Sequence, residues 1–360
     1  MTMNFIAKCF ITALLITLSA GIKAQIIYHD AAAFPLLGKA TEETETRYER
    51  LPARFKGISR PAVWTLGKDC AGLAVRFRSN STTIAARWTA LYNNTMNHQT
   101  QTGTRGLDLY CLHNGEWTFV NSGRPTGKEN SATIIANMKP EMREYMLYLS
   151  LYDGITSLEI GVDSLSALEQ PVVNSPVREK PVVFYGTSIL QGGCSNRPGM
   201  AHTSIISRRL DRECINLGFS GNALLDLEIA ELIAGVDASV YVLDFVPNAS
   251  VEQMNEKMEK FYRIIRDKHP DTPVIFIEDP IFTHSRFDQK ILKEITRKNE
   301  TVNRIFKELK KKGEKKIYMI SSEKMLGNDS EATVDGTHFT DLGMMRYADL
   351  VCPVIKKHMK

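Results

Sequence analysis

The second half of the chain alternates regularly between two kinds of hydrophobic pattern, and this constrains the fold most. Apolar runs of strand length, beginning with PVVFYG at 181–186, are each followed by an amphipathic stretch of helix length. Five such stretches occur, at 199–212, 223–234, 251–268, 289–312 and 340–358. Strands that alternate with helices are typical of a parallel sheet with helices on both faces. We therefore predict a flavodoxin-like, doubly wound α/β domain with five parallel strands.

Residues 60 to 165 show a different pattern, made of short alternating runs that are rich in Val, Ile, Thr and aromatic residues. Gly, Asn, Ser and Asp clusters separate the runs, which are GLAVRFRS, TTIAARWTA, GLDLYCLHNGEWTFV and REYMLYLSLYDGITSLEIGV. This pattern is typical of an antiparallel sandwich or jelly roll. The segment LEQPVVNSPVREKP is rich in prolines and charges, as linkers often are. We expect a β-sandwich domain at 25–175 and the α/β domain at 176–360.

The first residues predict export. Lys8 precedes the apolar run CFITALLITLSAGI, and the small residue Ala24 follows as a plausible cleavage point. A short apolar run with these flanks is typical of a signal peptide, and it is too short for a membrane-spanning helix. No later segment is apolar enough to cross a bilayer. We expect residues 1–24 to be removed and the mature protein to be periplasmic or extracellular.

Charge and cysteine content narrow the classes of partner. A formal net charge of +4 over 360 residues gives no support for nucleic-acid or membrane binding. Six cysteines are present, and removal of Cys9 with the leader leaves an odd number, so at least one thiol is unpaired within the chain. Cys70 and Cys111 could pair, but spacing leaves the connectivity of all five open: Cys70, Cys111, Cys194, Cys214 and Cys352. No C-x-x-C or H-E-x-x-H spacing occurs, so we expect no metal site.

Small polar residues and glycine follow the predicted strands at their carboxyl ends, where ligands of doubly wound sheets bind. Ser188 follows the first strand, Gly221 the second and Asn248 the third. Each has an ordinary alternative explanation. Ser188 could be a helix cap, Gly221 a turn glycine, and Asn248 part of the start of the helix near Ser250.

Asp335 and His338 stand three residues apart in VDGTHFTDLG, just before the last predicted helix. An aspartate can accept a hydrogen bond from one imidazole nitrogen and leave the other nitrogen to take a proton from a serine. The alternative is a surface Asp-Gly turn followed by a helix cap at Thr340. The same sheet edge carries Ser188, which favours the catalytic interpretation.

These residues resemble a known family. Ser188, Gly221, Asn248 and His338 stand in the order that names the SGNH hydrolases, or GDSL-type esterases. GTS stands where that family often has G-D-S, and DGTHF resembles its D-x-x-H block. The third block departs from the common G-x-N-D, since VPNA resembles the D-x-x-P-N form of a two-domain branch. That branch carries an amino-terminal β domain with a G-x-D-L-Y signature, and residues 106–110 here are GLDLY.

The resemblance implies ester hydrolysis through an acyl-enzyme, without a cofactor. It implies Ser188 as nucleophile, His338 as general base and later acid, and Asp335 as the residue that orients the imidazole. The N–H groups of Ser188 and Gly221 and the side-chain amide of Asn248 would form the oxyanion hole.

Further residues are candidates for substrate binding. They are His284 after the fourth strand, Arg197 and Met200 after the nucleophile loop, and Asn94 and His98 in the polar segment 92–100. The alternatives are a solvated loop histidine for His284, loop packing for Arg197 and Met200, and a plain surface loop for 92–100.

The substrate is less determined than the reaction. An exported esterase with an attached β domain is similar to carbohydrate esterases, so we expect an acetylated glycan as the substrate. Alternatives are a short-chain lipid esterase or thioesterase, and a carbohydrate-binding protein without catalysis. The oligomeric state stays open.

Overall fold

The computed structural model describes residues 25–359 and arranges them as a β-rich amino-terminal domain followed by an α/β domain. The predicted signal peptide, residues 1–24, lies outside the described residues. Within the described range, every helix is too short or too polar to cross a bilayer.

The amino-terminal domain is built from antiparallel strands in two sheets. Its elements are β1 (Ile26–Asp30), β2 (Leu36–Leu37), α1 (Pro61–Leu66), β3 (Ala74–Ser79), β4 (Ile84–Ala90), α2 (Gln101–Arg105), β5 (Leu107–His113), β6 (Glu116–Gly123), β7 (Glu129–Ile135), β8 (Arg143–Tyr148), β9 (Ile155–Asp163) and β10 (Leu168–Glu169). One sheet has the order β1-β9-β4-β7, and the other has the order β10-β3-β8-β5-β6, with β2 beside β3. The predicted sandwich is confirmed.

Side chains of both sheets share one core, as alternation along the strands requires. In β4, Ile84, Ala86 and Trp88 are buried, whereas Arg87 between them points outward over the ring of Tyr28. The sequence pattern missed the edge strands β1 and β7, since half-exposed edge strands have weak alternation. It also missed α1 and α2, which at 6 and 5 residues are too short to produce a helical period.

The α/β domain contains a parallel five-stranded sheet, as predicted. Its elements are β11 (Val177–Gly186), α3 (Ser188–Gln191), α4 (His202–Leu210), β12 (Arg212–Gly218), α5 (Leu227–Ala234), β13 (Val240–Asp244), α6 (Val251–Lys268), β14 (Val274–Ile277), α7 (Gln289–Lys311), β15 (Ile317–Ile320) and α8 (Asp341–His358). The strand order is β12-β11-β13-β14-β15. Val183 and Tyr185 of β11 face the core under α5 and α6, and Val182 and Phe184 face the core under α4 and α8.

The register of this sheet determines where its polar loops emerge. Gly186 at the end of β11 pairs with Gly218 of β12 on one side and with Asp244 of β13 on the other. All three strands therefore end at the same level. The segments that carry Ser188, Gly221 and Asn248 consequently leave the sheet at one edge.

The cysteine pair that the sequence left open does not form. Cys70 and Cys111 are both buried in the core of the sandwich as free thiols, and Cys194, Cys214 and Cys352 are free as well. The Cys70 thiol instead donates a hydrogen bond to the carbonyl of Tyr48, 3.2 Å away.

Candidate active site

Ser188 is the first residue of α3, and its hydroxyl does not cap that helix. The cap is Thr187, whose Oγ1 accepts a hydrogen bond from the N–H of Ile189 at 3.3 Å. The alternative interpretation of Ser188 as a helix cap is therefore wrong. Because Thr187 accepts the hydrogen bond from the start of the helix, the Ser188 hydroxyl is free to form a hydrogen bond with another group.

The Ser188 hydroxyl forms a hydrogen bond with His338, and the His338 ring forms a second hydrogen bond with Asp335. The distance from Ser188 Oγ to His338 Nε2 is 2.9 Å, and that from His338 Nδ1 to Asp335 Oδ2 is 2.7 Å. Ser188 is only 7% exposed, so most of the residue is shielded from solvent. The three groups form a continuous hydrogen-bonded chain with the geometry of a nucleophile, a base and an orienting carboxylate.

Asp335 is held in its ionised form by the turn it belongs to. Partial burial works to raise the pKa of this carboxyl, but hydrogen bonds from the His338 ring and from the N–H groups of His338 and Thr337 lower it to about 2. The Asp-Gly turn and the cap at Thr340 are both present, with Gly336 at φ +91°. The turn thus positions the Asp335 carboxylate against the His338 ring. The interpretation as an Asp-Gly turn and the interpretation as a catalytic pair therefore do not exclude each other.

Three potential hydrogen-bond donors lie on segments that leave the sheet at the same edge as Ser188. The N–H of Ser188 stands at a helix start, where it has no partner within the helix. Gly221 has φ +66°, and its N–H has no acceptor among residues 25–359. The side-chain oxygen of Asn248 accepts from the N–H of Ala223 at 3.3 Å, which fixes the amide against the Gly221 loop. Its NH₂ group has no acceptor in the described part of the chain.

Tyr152 of the β domain contacts the nucleophile loop directly, and no sequence pattern predicts this contact. Its hydroxyl donates to the carbonyl oxygen of Ser188 at 2.8 Å. Burial raises the pKa of Tyr152 strongly, so the phenol keeps the proton that it donates. Gly193 makes the approach possible, because a methyl group there would lie 2.7 Å from the Tyr152 oxygen.

A second connection from the β domain runs through Gln191, at the end of α3. Its side-chain nitrogen donates to Asp69 Oδ2 at 2.8 Å, and its oxygen accepts from the N–H of Ser220 at 3.0 Å. Burial raises the pKa of Asp69 to about 7, despite the nearby positive charge of Arg50. Gln191 thus ties the β domain to the residue that precedes Gly221. The sequence indicates this role of Gln191 only through its position three residues after Ser188.

The segment 92–100 reaches over the α/β domain, so its interpretation as a plain surface loop is wrong. The His98 ring lies 5.2 Å from the His338 ring, centroid to centroid. Gln99 donates to the carbonyl of Ser195 at 3.2 Å. Asn94 was expected to bind substrate. Its side chain instead donates a hydrogen bond to the carbonyl of Tyr152 at 2.8 Å and thereby anchors the loop.

Arg197 and Met200 serve packing rather than the site. Arg197 donates to Asp108 Oδ2 at 2.8 Å and to the Tyr110 hydroxyl at 2.7 Å, and its guanidinium lies over the Phe119 ring. Asp108 and Tyr110 are the D and Y of GLDLY, so this signature fastens the two domains together. The side chain of Met200 packs against the core under α4 and α8.

His284 lies against the turn that carries Asp335, and it is not a solvated loop histidine. A methyl group on Gly336 would lie 2.8 Å from His284 Nδ1. That nitrogen is buried and has no hydrogen-bond partner in the described part of the chain. The contact places His284 against the Asp335–Gly336 turn.

Comparisons with known proteins agree with this two-domain arrangement. A family model described as the GDSL-like lipase/acylhydrolase family matches residues 179–356. A second model, for the GxDLY amino-terminal region of SGNH-hydrolase-type esterases, matches residues 26–168. No curated protein matches the chain in sequence.

Solved structures resemble the chain over almost its whole length. A protein described as a GDSL-like lipase, from Bacteroides ovatus ATCC 8483, is 38% identical, with a TM-score of 0.89 over 93% of this chain and 99% of that one. A salicylyl-acyltransferase from a tetracycline biosynthetic pathway is 16% identical (TM-score 0.71, covering 92% and 96%). A family two carbohydrate esterase from Cellvibrio japonicus is 11% identical (TM-score 0.60, covering 93% and 98%). The last two share the fold.

Proposed function

The chain belongs to the GDSL-like lipase/acylhydrolase family, and from this we propose that it is an exported serine esterase that removes acetyl groups from carbohydrates. The observation that carries the proposal is the hydrogen-bonded chain from Ser188 through His338 to Asp335. A serine hydroxyl is a weak nucleophile, and an adjacent base activates it.

In the proposed reaction, Ser188 Oγ attacks the ester carbonyl carbon while His338 Nε2 takes the hydroxyl proton. The tetrahedral intermediate then collapses, the bond to the alcohol oxygen breaks, and His338 returns the proton to the leaving sugar hydroxyl. Water attacks the acyl-serine by the same route, with His338 again as the base, and releases the carboxylic acid and free Ser188. Asp335 keeps the proton on His338 Nδ1 and stabilises the imidazolium.

The negative charge of the intermediate needs donors that are already in place. We assign this role to the N–H groups of Ser188 and Gly221 and to the amide of Asn248. The contact between Asn248 and Ala223 supports the assignment, because the amide NH₂ is the free end of a side chain whose oxygen is already bonded.

Three features support an acetylated glycan as the substrate. The two-domain fold is shared with a protein described as a carbohydrate esterase. The His98 ring of the β domain lies 5.2 Å from the His338 ring, centroid to centroid, and we take this proximity as favouring a small acyl group. The leader at 1–24 would place the enzyme where such glycans occur.

Acetate release tests the proposal. Purified mature protein is incubated with acetylated xylan and other acetylated oligosaccharides, and free acetate is measured beside the Ser188→Ala variant. We expect acetate from at least one glycan with the wild type and none with the variant. Turnover of long-chain or thioester substrates without acetate release would contradict the proposal and favour a lipid esterase or thioesterase. Glycan affinity with no turnover of any ester would favour a binding protein.

A further inference from the structure

Three side chains that are common metal ligands meet beside Ser188, although they are far apart in the sequence. His98 lies in the β-domain segment 92–100, Cys194 follows α3, and His338 precedes α8. One ligand atom from each lies within 4.8 Å of the other two. The proposed reaction uses no metal and does not use Cys194.

Hydrogen bonds orient both histidines as metal ligands. Nδ1 of His338 donates to the Asp335 carboxylate at 2.7 Å, and Nδ1 of His98 is 2.9 Å from the side-chain oxygen of Asn97. Because these oxygens accept, each Nδ1 carries the proton and each Nε2 keeps its lone pair. A carboxylate or carbonyl oxygen behind the second nitrogen is the usual environment of a metal-binding histidine.

Cys194 supplies a sulfur whose position is fixed. Its N–H donates to the carbonyl of Phe339 at 2.9 Å, and the N–H of Phe339 donates to the carbonyl of Gly193 at 3.3 Å. This pair of bonds locks Cys194 to the segment that carries His338. The residue is 2% exposed, and its thiol has no hydrogen-bond partner within residues 25–359.

We propose that a thiophilic divalent cation, Zn²⁺ in particular, binds to His98, Cys194 and His338 and reversibly inhibits the enzyme. Two imidazoles and one thiolate are a donor set that suits Zn²⁺. On binding, the Cys194 thiol releases its proton to solvent and a metal–sulfur bond forms. The Nε2 atoms of His98 and His338 donate their lone pairs to the metal. The sulfur and the two nitrogens then occupy three of the four coordination positions. The inhibition, though not the binding, rests on the proposed function, since the metal occupies the nitrogen that would activate Ser188.

The cluster needs only a small adjustment to close on a metal. Bonds of about 2.0–2.3 Å in a tetrahedral site put the ligand atoms about 3.3–3.8 Å apart, so the widest separation of 4.8 Å must shrink by about 1 Å. His98 can supply this movement, because it stands on a largely exposed loop, whereas Cys194 and His338 are tied together. The site therefore joins the two domains across the mouth of the active site.

Cobalt titration tests the site without relying on activity. Metal-free protein is titrated with Co²⁺, and the absorption band of a thiolate–Co²⁺ bond is recorded for the wild type, Cys194→Ser, His98→Gln and the control Cys352→Ser. We expect a band that saturates at one equivalent in the wild type and in Cys352→Ser. It should be lost in Cys194→Ser, and the apparent Kd should rise at least about tenfold in His98→Gln. A folded wild type without the band, or a band that persists in Cys194→Ser, would overturn the site.

The inhibition is read separately, as the rate at which a fluorophosphonate probe labels Ser188 with and without Zn²⁺. We expect Zn²⁺ to slow labelling in the wild type, EDTA to restore it, and the ratio of the two rates to approach one in Cys194→Ser. Rapid labelling of protein that carries the cobalt band would overturn the inhibition and leave the metal site standing. Labelling without any band would overturn the metal site and leave the proposed function standing.

Discussion

The α/β domain and the β domain contribute to the active site in different ways. The α/β domain holds Ser188, His338 and Asp335 within one hydrogen-bonded chain. In the β domain, Tyr152 donates a hydrogen bond to the backbone carbonyl of Ser188, and Asp69 accepts one from the side chain of Gln191. One domain thus carries the groups proposed to react, and the other fixes the loops on which they stand. From this difference we expect the β domain to affect the precision of the candidate site rather than the chemistry.

Removal of the nucleophile should have the largest effect. We expect Ser188→Ala to lower kcat by about 10⁶, because residues of such a triad act as a unit. The thermal midpoint should change little, since Thr187 and not Ser188 caps α3. Steady-state hydrolysis of p-nitrophenyl acetate and a melting curve measure both quantities. A variant with near-normal activity would remove Ser188 from the reaction and with it the division between the domains.

Asp335→Asn should come second. The amide would favour the wrong imidazole tautomer, so we expect kcat to fall about 10⁴-fold while the fold is retained. Asp341→Asn is the matched control, since that carboxylate belongs to the same segment but accepts from Asn196. Equal losses in the two variants would mean that Asp335 acts through the structure of the segment.

Asn248→Ala should lower kcat by about 10²–10³ through loss of an oxyanion donor. Asn248→Asp sharpens the test, because it keeps an oxygen for the N–H of Ala223 but has no NH₂ group. We expect it to be as slow as the alanine variant in the same assay. Full activity in Asn248→Asp would show that the loop contact matters and the donor does not.

Tyr152→Phe probes the β domain and should have a smaller effect. The Ser188 carbonyl would keep its bonds from the N–H groups of Gly192 and Gly193, so we expect a loss of about 1 kcal/mol, or roughly fivefold in kcat. Tyr145→Phe is the control, since its hydroxyl contacts Met138 Sδ in the sandwich rather than the Ser188 loop. A loss of 10³-fold in Tyr152→Phe with normal stability would place Tyr152 among the reacting groups and break the comparison.

The pH dependence of stability should involve the buried carboxyl of Asp244, at the carboxyl end of β13. Burial raises the pKa of Asp244 to about 7, with one hydrogen bond from Tyr347 opposing it. The folded state therefore binds a proton that the unfolded state has lost, so this carboxyl makes the free energy of unfolding fall as pH rises from about 4 to about 7.

Asp244→Asn should flatten this dependence, as measured by urea unfolding at three pH values between 5 and 8. Asp349→Asn, on the exposed side of α8 with 64% of its side chain accessible, should leave the dependence unchanged. An identical pH profile for wild type and Asp244→Asn would show that Asp244 does not titrate in this range.

Much of the α/β domain could be predicted because its signals are local. The amphipathic stretch 251–268 coincides with α6 (Val251–Lys268), and the apolar runs coincide with the strands. Ser188, Asp335 and His338 could be proposed because they stand at predictable ends of these elements. Thr187 was missed as the cap, since two hydroxyl residues in a row leave the choice to the backbone.

The contacts between the domains could not be predicted, because they join residues without a shared local pattern. Tyr152 and Ser188 are 36 positions apart, and Asp69 and Gln191 are 122 apart. No sequence pattern indicates that Arg197 would contact Asp108 and Tyr110. The proposed metal ligands have no recognisable spacing for the same reason, since they come from three separate segments.

The most direct measurement of the central claim is mass spectrometry of the mature protein after reaction with a fluorophosphonate probe. We predict one adduct per chain, located on Ser188 by peptide mapping, and no adduct in Ser188→Ala under the same conditions. An adduct on another residue, or none on folded wild-type protein, would contradict the claim that Ser188 is an activated nucleophile.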